Sequence, residues 1–284
     1  MEQSRYIRPS EPSRMDCKNM AHNATHDGSL LTSYVVIPAR LNSTRLATKM
    51  LLSETGKTLV QHTYEAACQA RRPLGVCVAT EDAEIAREVR RFGGRVVMTQ
   101  AGIASGTDRI AAAAADPCLE DVDILVNVQG DEPEIDGAAI DKLIELMQSD
   151  HEINMATLAA PIRRRELIED PACVKVVLDD HGRALYFSRS PIPHARQWDD
   201  SLLTADPPLY YQHMGIYAYR RDLLLRFSRM PRTALEQVEC LEQLRIVQSG
   251  VRIAVGVVPT AMPGIDTPAD YAAFVARHRM RKSA

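Results

Sequence analysis

The chain has 284 residues, of which 45% are hydrophobic and 25% are charged, and these values are typical of a folded globular protein. The formal net charge is −3, so no overall basic field favours nucleic acid as a partner. No apolar run approaches the roughly 18 residues of a membrane helix, and the six cysteines form no C-x-x-C pair. Together these features predict a cytoplasmic protein with reduced thiols and no membrane contact.

The first 32 residues differ from the rest of the chain because they are polar and lack periodicity. They predict a disordered N-terminal extension over 1–32, followed by one folded domain over 33–284.

Short apolar runs alternate with helical periodicity from residue 34 onward. The predicted strands span residues 34–38, 76–79, 96–98 and 123–128. Apolar residues at helical spacing predict helices over 59–68, 85–92, 108–115 and 140–147. This alternation predicts an α/β fold with a doubly wound, mostly parallel central sheet. The strands are apolar throughout, as expected when both faces of a sheet are covered.

The pattern loosens after about residue 160. Two apolar runs, 174–178 and 184–187, flank Asp179-Asp180-His181-Gly182 and predict a β-hairpin. A proline-rich stretch over 191–208 predicts a surface excursion or a subunit contact. The remaining predicted elements are a strand at 214–219, a helix at 236–248, a strand at 251–257 and a helix at 268–280.

Basic residues follow the first predicted strand, where ligands bind in open α/β sheets. Arg40, Arg45 and Lys49 stand there among small hydroxyl residues. A triphosphate needs such cations together with backbone N–H groups, so the segment predicts a phosphate site. A basic surface loop without a ligand is the alternative.

Two acidic segments also follow predicted strands. Asp131 lies in Gly130-Asp131-Glu132-Pro133, and a carboxylate at a strand end can hold Mg²⁺ on a phosphate. The same sequence also favours an ordinary turn. Asp266 precedes Thr267-Pro268, where it could be either a helix N-cap or a second carboxylate on the same metal ion.

Seven motifs give the chain a specific resemblance over residues 34–280. They are PAR-x-x-STRL-x-x-K (38–49), SGTDR (105–109), NVQGDEP (127–133), YFSR (186–189), H-x-GIY-x-Y (213–219), LEQLR (241–245) and GIDTP (264–268). In this order they resemble the CMP-KDO synthetases, the 3-deoxy-manno-octulosonate cytidylyltransferases. The resemblance implies a Rossmann-like nucleotide-diphospho-sugar transferase fold with a smaller β-rich lobe. That lobe, at about 160–235, would serve sugar binding and dimerisation.

The resemblance also implies an activity. Such an enzyme activates the sugar acid KDO with CTP, giving CMP-KDO and pyrophosphate for lipopolysaccharide biosynthesis. It would use Mg²⁺ and work as a cytoplasmic homodimer. CTP and KDO are then the partners of this chain.

Residue roles follow from the resemblance, position by position. The nucleotide-binding residues would be Arg40, Ser43, Arg45 and Lys49 at the phosphates, Ala79 and Thr80 near the cytosine, Arg109 near the nucleoside, and Gln129 between nucleotide and sugar. The metal ligands would be Asp131 and Asp266, which with Arg40 and Lys49 form the catalytic set. The sugar pocket would contain Gln129, Arg189, His213, Tyr217, Glu236 and Gln243. Arg189 would neutralise the carboxylate of KDO, and Glu236 and Gln243 would accept hydrogen bonds from its hydroxyls.

Three segments depart from the pattern of the family. Leu46-Ala47-Thr48-Lys49 stands where the family usually has Leu-Pro-Gly-Lys, and Thr58 follows Gly56-Lys57 in place of proline. Asp108 stands where glutamate is common. Losing proline and glycine changes the backbone freedom of the phosphate loop. The altered loop leaves open a non-catalytic nucleotide-binding module, and a cytidylyltransferase for another acidic sugar, such as 8-amino-KDO or a sialic acid, is the alternative among enzymes.

Overall fold

The computed structural model describes residues 31–41 and 46–283. The predicted extension therefore lies outside the described residues, apart from Leu31 and Thr32. Thr32 takes part in the fold, because its backbone N–H donates to Asp123 Oδ2 at 2.8 Å.

The described residues contain nine strands, which belong to one sheet. They are β1 (Ser33–Pro38), β2 (Val76–Thr80), β3 (Arg95–Met98), β4 (Ile124–Asn127), β5 (Met155–Pro161), β6 (Lys175–Leu178), β7 (Ala184–Ser188), β8 (Tyr211–Arg220) and β9 (Ile253–Val257). Their main order is β3-β2-β1-β4-β8-β5-β9, and β6 pairs with β7 and β8.

The helices alternate with these strands. They are α1 (Leu59–Ala67), α2 (Ala83–Arg91), α3 (Gly106–Ala113), α4 (Gly137–Ser149), α5 (Arg165–Glu169), α6 (Arg221–Phe227), α7 (Ala234–Glu239), α8 (Gln243–Gln248) and α9 (Pro268–Ser283). Two 3₁₀ turns span Lys49–Leu51 and Asp200–Leu203. Among the described helices, none combines the length and the apolarity needed to cross a membrane.

The direction of β8 determines which loops meet. β1, β2, β3 and β4 are parallel to their neighbours in this half of the sheet, and β8 is antiparallel to both β4 and β5. β9 is parallel to β5, so the carboxyl ends of β1, β4, β5 and β9 lie at one edge of the sheet. The first residues of β8 lie at the same edge because β8 runs the opposite way. The predicted mostly parallel α/β sheet is confirmed.

Both faces of the sheet are buried, which explains the apolar strands. Val35 and Ile37 of β1 belong to one core, which α1, α2, α4 and α9 cover. The alternating residues Tyr34 and Val36 belong to a second core, which α3, α6 and α8 cover. Side chains of a strand point alternately to its two faces, so a strand covered on both sides needs apolar residues at every position.

The region after residue 160 contains a β-hairpin and a small apolar cluster of its own. β6 and β7 pair as the predicted hairpin, and Gly182 in its turn has a φ of +70°. A separate apolar cluster contains Ile162, Ile168, Cys173 and Tyr210, with Trp198 from the proline-rich stretch packed against it.

The prediction of one helix over 236–248 was wrong. α7 ends at Glu239, Cys240 adopts the left-handed region with a φ of 52°, and α8 begins at Gln243. β5, α5 and α6 were not predicted.

Candidate active site

The candidate site lies where the loops after β1, β4 and β9 meet. Lys49 Nζ lies 2.6 Å from Asp131 Oδ2 and 3.4 Å from Asp266 Oδ1. It also donates to the carbonyl oxygen of Ile265 at 2.7 Å. Three segments far apart in the chain therefore converge on one ammonium group.

Close backbone packing positions these loops. Gly130 precedes Asp131, and a Cβ atom added there would lie 2.8 Å from Met50 Sδ and 3.2 Å from the Pro38 carbonyl oxygen. The Thr63 hydroxyl donates to the Gly130 carbonyl oxygen at 2.8 Å. The Ile265 N–H donates to the Asp131 carbonyl oxygen at 2.9 Å, which joins two of the loops directly. A side chain at position 130 would push the β1 and β4 loops apart.

A first cavity of about 230 Å³ opens beside Lys49. Its lining residues are Pro38, Ala39, Arg40, Lys49, Met50, Ile103, Ser105, Gly106, Arg109, Gln129, Gly130, Asp131 and Asp266. Six of the predicted nucleotide, metal or catalytic residues are thus brought together: Arg40, Lys49, Arg109, Gln129, Asp131 and Asp266. The cavity combines cations with small backbone-exposing residues, as a phosphate site requires.

Four predicted nucleotide contacts are not among the described lining residues of this cavity. Ser43 and Arg45 fall outside the described residues. Ala79 and Thr80 are buried at the end of β2, and neither lines the first cavity. Their predicted contact with cytosine stays a prediction.

Arg109 is fixed in the wall of the first cavity. Its Nη1 donates to Thr99 Oγ1 at 2.7 Å, and its Nη2 lies 3.3 Å from Glu81 Oε1. Ser105 caps α3 by accepting from the Asp108 N–H at 3.1 Å. The first turn of α3, which carries Arg109, is therefore capped normally with aspartate at position 108.

A second cavity of about 560 Å³ lies on the other side of Asp266. Its lining residues are Glu132, Ala172, Val174, Gln212, His213, Met214, Gly215, Tyr217, Leu241, Gln243, Met262, Gly264, Asp266, Thr267 and Asp270. The structure brings His213, Tyr217 and Gln243 of the predicted sugar residues to this cavity. Gln243 Nε2 is buried there and has no hydrogen-bond partner among the described residues. A buried amide donor without a partner is costly, so a ligand oxygen atom that accepts its hydrogen bond would be favoured here.

Arg189 and Glu236 do not line the second cavity. Arg189 donates to the carbonyl oxygens of Glu239, Pro171 and Cys240, at 2.8, 3.0 and 3.4 Å. Glu236 closes a capping box with Thr233 and accepts from Arg245 Nε at 2.7 Å. Their predicted contacts with the sugar stay predictions, while the contacts seen here stabilise the break between α7 and α8.

Burial controls the charge of two groups at the second cavity. Burial raises the pKa of the Glu132 carboxyl to about 8, and the charges of Asp131 and Asp266 act in the same direction. Burial lowers the pKa of His213 to about 3, so its imidazole is neutral near pH 7. His213 Nε2 lies 3.0 Å from the Thr157 hydroxyl, and the ring contacts Phe187 edge to face.

Three residues of the site were missed by sequence reasoning. Glu132 and Asp270 line the second cavity, and each stands next to or within four residues of a predicted ligand. Glu242 accepts a hydrogen bond from the Thr107 hydroxyl at 2.9 Å, between the two cavities. Glu132 and Glu242 both lie inside recognised motifs, and this was the available signal.

The fold and the two cavities are typical of nucleotide-binding α/β proteins, and comparisons specify the family. A family model described as "Cytidylyltransferase" matches residues 34–253. The 3-deoxy-manno-octulosonate cytidylyltransferase of Rhodopirellula baltica is 50% identical over 244 residues, which cover 86% of this chain and 97% of that protein. The chain belongs to the family of 3-deoxy-manno-octulosonate cytidylyltransferases, and it is therefore a nucleotidyltransferase.

Two further relatives refine this result. A solved structure of CMP:2-keto-3-deoxy-manno-octonic acid synthetase in complex with CTP is 40% identical, with a TM-score of 0.81 over 88% of this chain and 99% of that one. The 8-amino-3,8-dideoxy-manno-octulosonate cytidylyltransferase of Shewanella halifaxensis is 43% identical over 237 residues, which cover 83% of this chain and 94% of that protein. The predicted family, fold class and enzyme class are confirmed.

Proposed function

We propose that this enzyme transfers a cytidylyl group from CTP to KDO and releases pyrophosphate. The observation that carries the proposal is the junction at Asp266, which lines both cavities beside Lys49 and Asp131. A triphosphate in the first cavity and a sugar in the second would meet there. The family membership and the CTP complex of the solved relative support this choice of substrates.

The reaction is an in-line displacement. The anomeric hydroxyl oxygen of the sugar attacks the α-phosphorus of CTP and loses its proton to solvent. The bond from the α-phosphorus to the bridging oxygen breaks, and pyrophosphate leaves with the electron pair. Arg40 and Lys49 line the first cavity and would offset the charge on the phosphate oxygens. Ser43 and Arg45 are proposed for the same phosphates, and Ala79, Thr80 and Arg109 for the nucleoside.

The second cavity is proposed to bind the sugar. Gln243 would donate its unpartnered amide N–H to a hydroxyl oxygen, and the neutral His213 and Tyr217 would line the pocket. Gln129, which lines the first cavity, would stand between the two substrates. Arg189 and Glu236 are proposed as further sugar contacts on the resemblance alone.

Mg²⁺ is the proposed metal, and the donor set fits it. The carboxylates of Asp131 and Asp266 already approach a common point, because one ammonium contacts both of them. Among the described residues, no group of three or more acidic, histidine or cysteine side chains is arranged to hold a metal ion. This suits Mg²⁺, which commonly binds one or two carboxylates plus phosphate oxygens and water. When bound, Mg²⁺ would supply positive charge beside the α-phosphate and lower the pKa of the attacking hydroxyl.

The deciding experiment is pyrophosphate release from CTP with KDO and Mg²⁺. We expect pyrophosphate release to require all three components. UTP should not replace CTP. Asp131→Asn and Asp266→Asn should lower kcat by about 100-fold or more, since each removes a carboxylate that is proposed to hold Mg²⁺ beside the reacting phosphate. Calorimetric binding of CTP without any release would instead favour a non-catalytic nucleotide-binding module.

An amino sugar acid is the second candidate substrate. Asp266 and Asp270 line the second cavity, and no lysine or arginine is among its described lining residues. Carboxylates attract an ammonium group, and one relative is named for the 8-amino sugar acid. Competition between KDO, 8-amino-KDO and a sialic acid at equal concentrations, read by mass spectrometry of the CMP-sugar products, would identify the preferred substrate.

The location, the oligomeric state and the pathway of the enzyme are also proposed. A cytoplasmic homodimer supplying CMP-KDO to lipopolysaccharide biosynthesis fits the family, and residues at about 160–235 would contribute to sugar binding and to the dimer. Light scattering coupled to size-exclusion chromatography would measure the mass. A monomeric mass with full activity would contradict the dimer.

A further inference from the structure

The Lys49 ammonium lies between the two carboxylates that are proposed to hold Mg²⁺. All three of its hydrogen-bond donors have acceptors, which are Asp131 Oδ2, Asp266 Oδ1 and the Ile265 carbonyl oxygen. The Lys49 side chain is only 9% exposed. A lysine head group with three acceptors and little solvent is held firmly in one position.

This position has an electrostatic reason. Asp131 and Asp266 bring two carboxylates to one ammonium group, at 2.6 and 3.4 Å, and two like charges held so close to one point repel each other. Lys49 offsets this repulsion at short range. The ammonium therefore performs, in the ligand-free protein, the charge compensation that a divalent cation would otherwise provide.

A metal ion between the same oxygens would stand within a few ångströms of the ammonium. The two cations repel each other, and they compete for the same two carboxylates. Lys49 also lines the first cavity, where a triphosphate would offer its ammonium a new set of acceptors. Nucleotide binding would thus draw the Lys49 ammonium toward the triphosphate. Its place between Asp131 and Asp266 would then be open to the metal ion.

We propose that Lys49 is a resident counter-ion that keeps divalent metal out of the site until the triphosphate arrives. Free metal binds poorly to the ligand-free enzyme, and the metal enters together with the nucleotide. This inference rests on the proposed function, because it takes Asp131 and Asp266 as the metal ligands.

The test uses Mn²⁺ as a paramagnetic probe, titrated into nucleotide-free protein and followed by electron paramagnetic resonance. We expect weak binding to the wild type and binding at least about tenfold tighter to Lys49→Met, which keeps the chain length and removes the charge. Adding Asp131→Asn to Lys49→Met should abolish the tight binding. Lys57→Met is the matched control, since Lys57 pairs with Glu65 on a half-exposed surface, and it should leave the weak binding unchanged.

A second measurement needs no variant. Mg²⁺ alone should leave the melting temperature of the wild type unchanged, while Mg²⁺ with a non-hydrolysable CTP analogue should raise it. Mn²⁺ binding to the wild type as tight as to Lys49→Met, or stabilisation of the wild type by Mg²⁺ alone, would overturn the proposal. Neither readout uses the transfer reaction, so a protein that passes both tests and releases no pyrophosphate would contradict the proposed activity only.

Discussion

Thr48 adopts a backbone conformation that threonine rarely takes. Its φ is 48° and its ψ is 27°, in the left-handed region where a β-branched side chain is crowded. The family that the sequence resembles usually has glycine at this position. The departure noted in the sequence thus introduces backbone strain one residue before Lys49.

We expect Thr48→Gly to raise the free energy of unfolding by about 1 kcal/mol, because relief of the left-handed strain exceeds the entropic cost of glycine. Urea denaturation at pH 7 measures this. Thr48→Ala keeps a Cβ atom and serves as the control with a smaller gain. A loss of stability in Thr48→Gly would show that the threonine is not strained here.

His213 predicts a dependence of stability on pH. Its pKa is about 3 in the folded protein and about 6.5 when unfolded, so the folded state prefers the neutral ring. Its contribution is complete above pH 6.5 and is lost as the pH falls below that value. Between pH 7 and pH 5 the wild type should lose about 2 kcal/mol through this residue. His213→Gln should lose correspondingly less, measured by denaturant unfolding at both pH values, and equal losses would contradict the assignment.

Helices α7 and α8 depend on one buried ion pair. Glu236 and Arg245 are 6% and 8% exposed in their side chains, and Arg245 also donates to the carbonyl oxygens of Phe227 and Met230. Removing one member of a buried pair leaves the other charge uncompensated.

Glu236→Gln should therefore lower the free energy of unfolding by about 3 kcal/mol. Glu169→Gln, which breaks the exposed pair with Arg165, is the control and should change it by less than about 0.5 kcal/mol. Unchanged stability together with a raised KM for the sugar would instead support the sugar contact predicted from the sequence.

Helix α9 follows one proposed metal ligand, Asp266, and contacts the loop that carries the other, Asp131. It begins two residues after Asp266, and its Arg277 donates to Glu134 Oε2 at 2.9 Å through Nε. Arg281 Nη1 lies 3.1 Å from Glu134 Oε1. Glu134 follows Asp131 by three residues, so this contact ties the loop after β4 to the helix behind Asp266.

Glu134→Gln should loosen the spacing of Asp131 and Asp266. We expect the Mg²⁺ concentration for half-maximal pyrophosphate release to rise about three- to tenfold, with little change in the KM for CTP. Glu145→Gln, at the exposed pair with Arg72, is the control. A parallel rise in both constants would indicate general damage to the fold.

The two cavities are linked through the body of the molecule. Thr107 follows Gly106 of the first cavity, and its hydroxyl donates to Glu242, which precedes Gln243 of the second cavity. In the wild type we expect KDO to tighten the binding of a non-hydrolysable CTP analogue. Thr107→Val should reduce that effect while changing the affinity for the analogue alone by less, as calorimetry with and without KDO would report. An undiminished effect would show that the link carries no coupling.

The sequence was sufficient for the alternating core of the fold and for the motifs of the site. Apolar runs such as residues 34–38 predicted strands because burial on both faces leaves a local signal. β5 was missed because its Ala156, Ala159 and Ala160 have low strand propensity, and its pairing with β8 and β9 stabilises it. The break at Cys240 was missed because neither glycine nor asparagine marks it.

Contacts between distant segments could not be predicted in the same way. The meeting of Lys49 with Asp131 and Asp266 depends on the sheet order, and the insertion of antiparallel β8 determines that order. Arg189 was predicted at the sugar because a cation suits its carboxylate. In the structure its guanidinium donates to backbone carbonyl oxygens, which only the folded chain shows, and the sugar contact stays a prediction.

The contact from Lys49 to the Ile265 carbonyl oxygen spans 216 positions of the chain. Domains generally begin to fold from the N-terminal side during synthesis, so β1 to β4 emerge from the ribosome long before residues 264–268. A nascent chain can thus assemble much of its sheet while its site is still incomplete. A polypeptide terminated before residue 264 would lack Asp266, one of the two proposed metal ligands, so we expect it to release no pyrophosphate even with much of its sheet assembled.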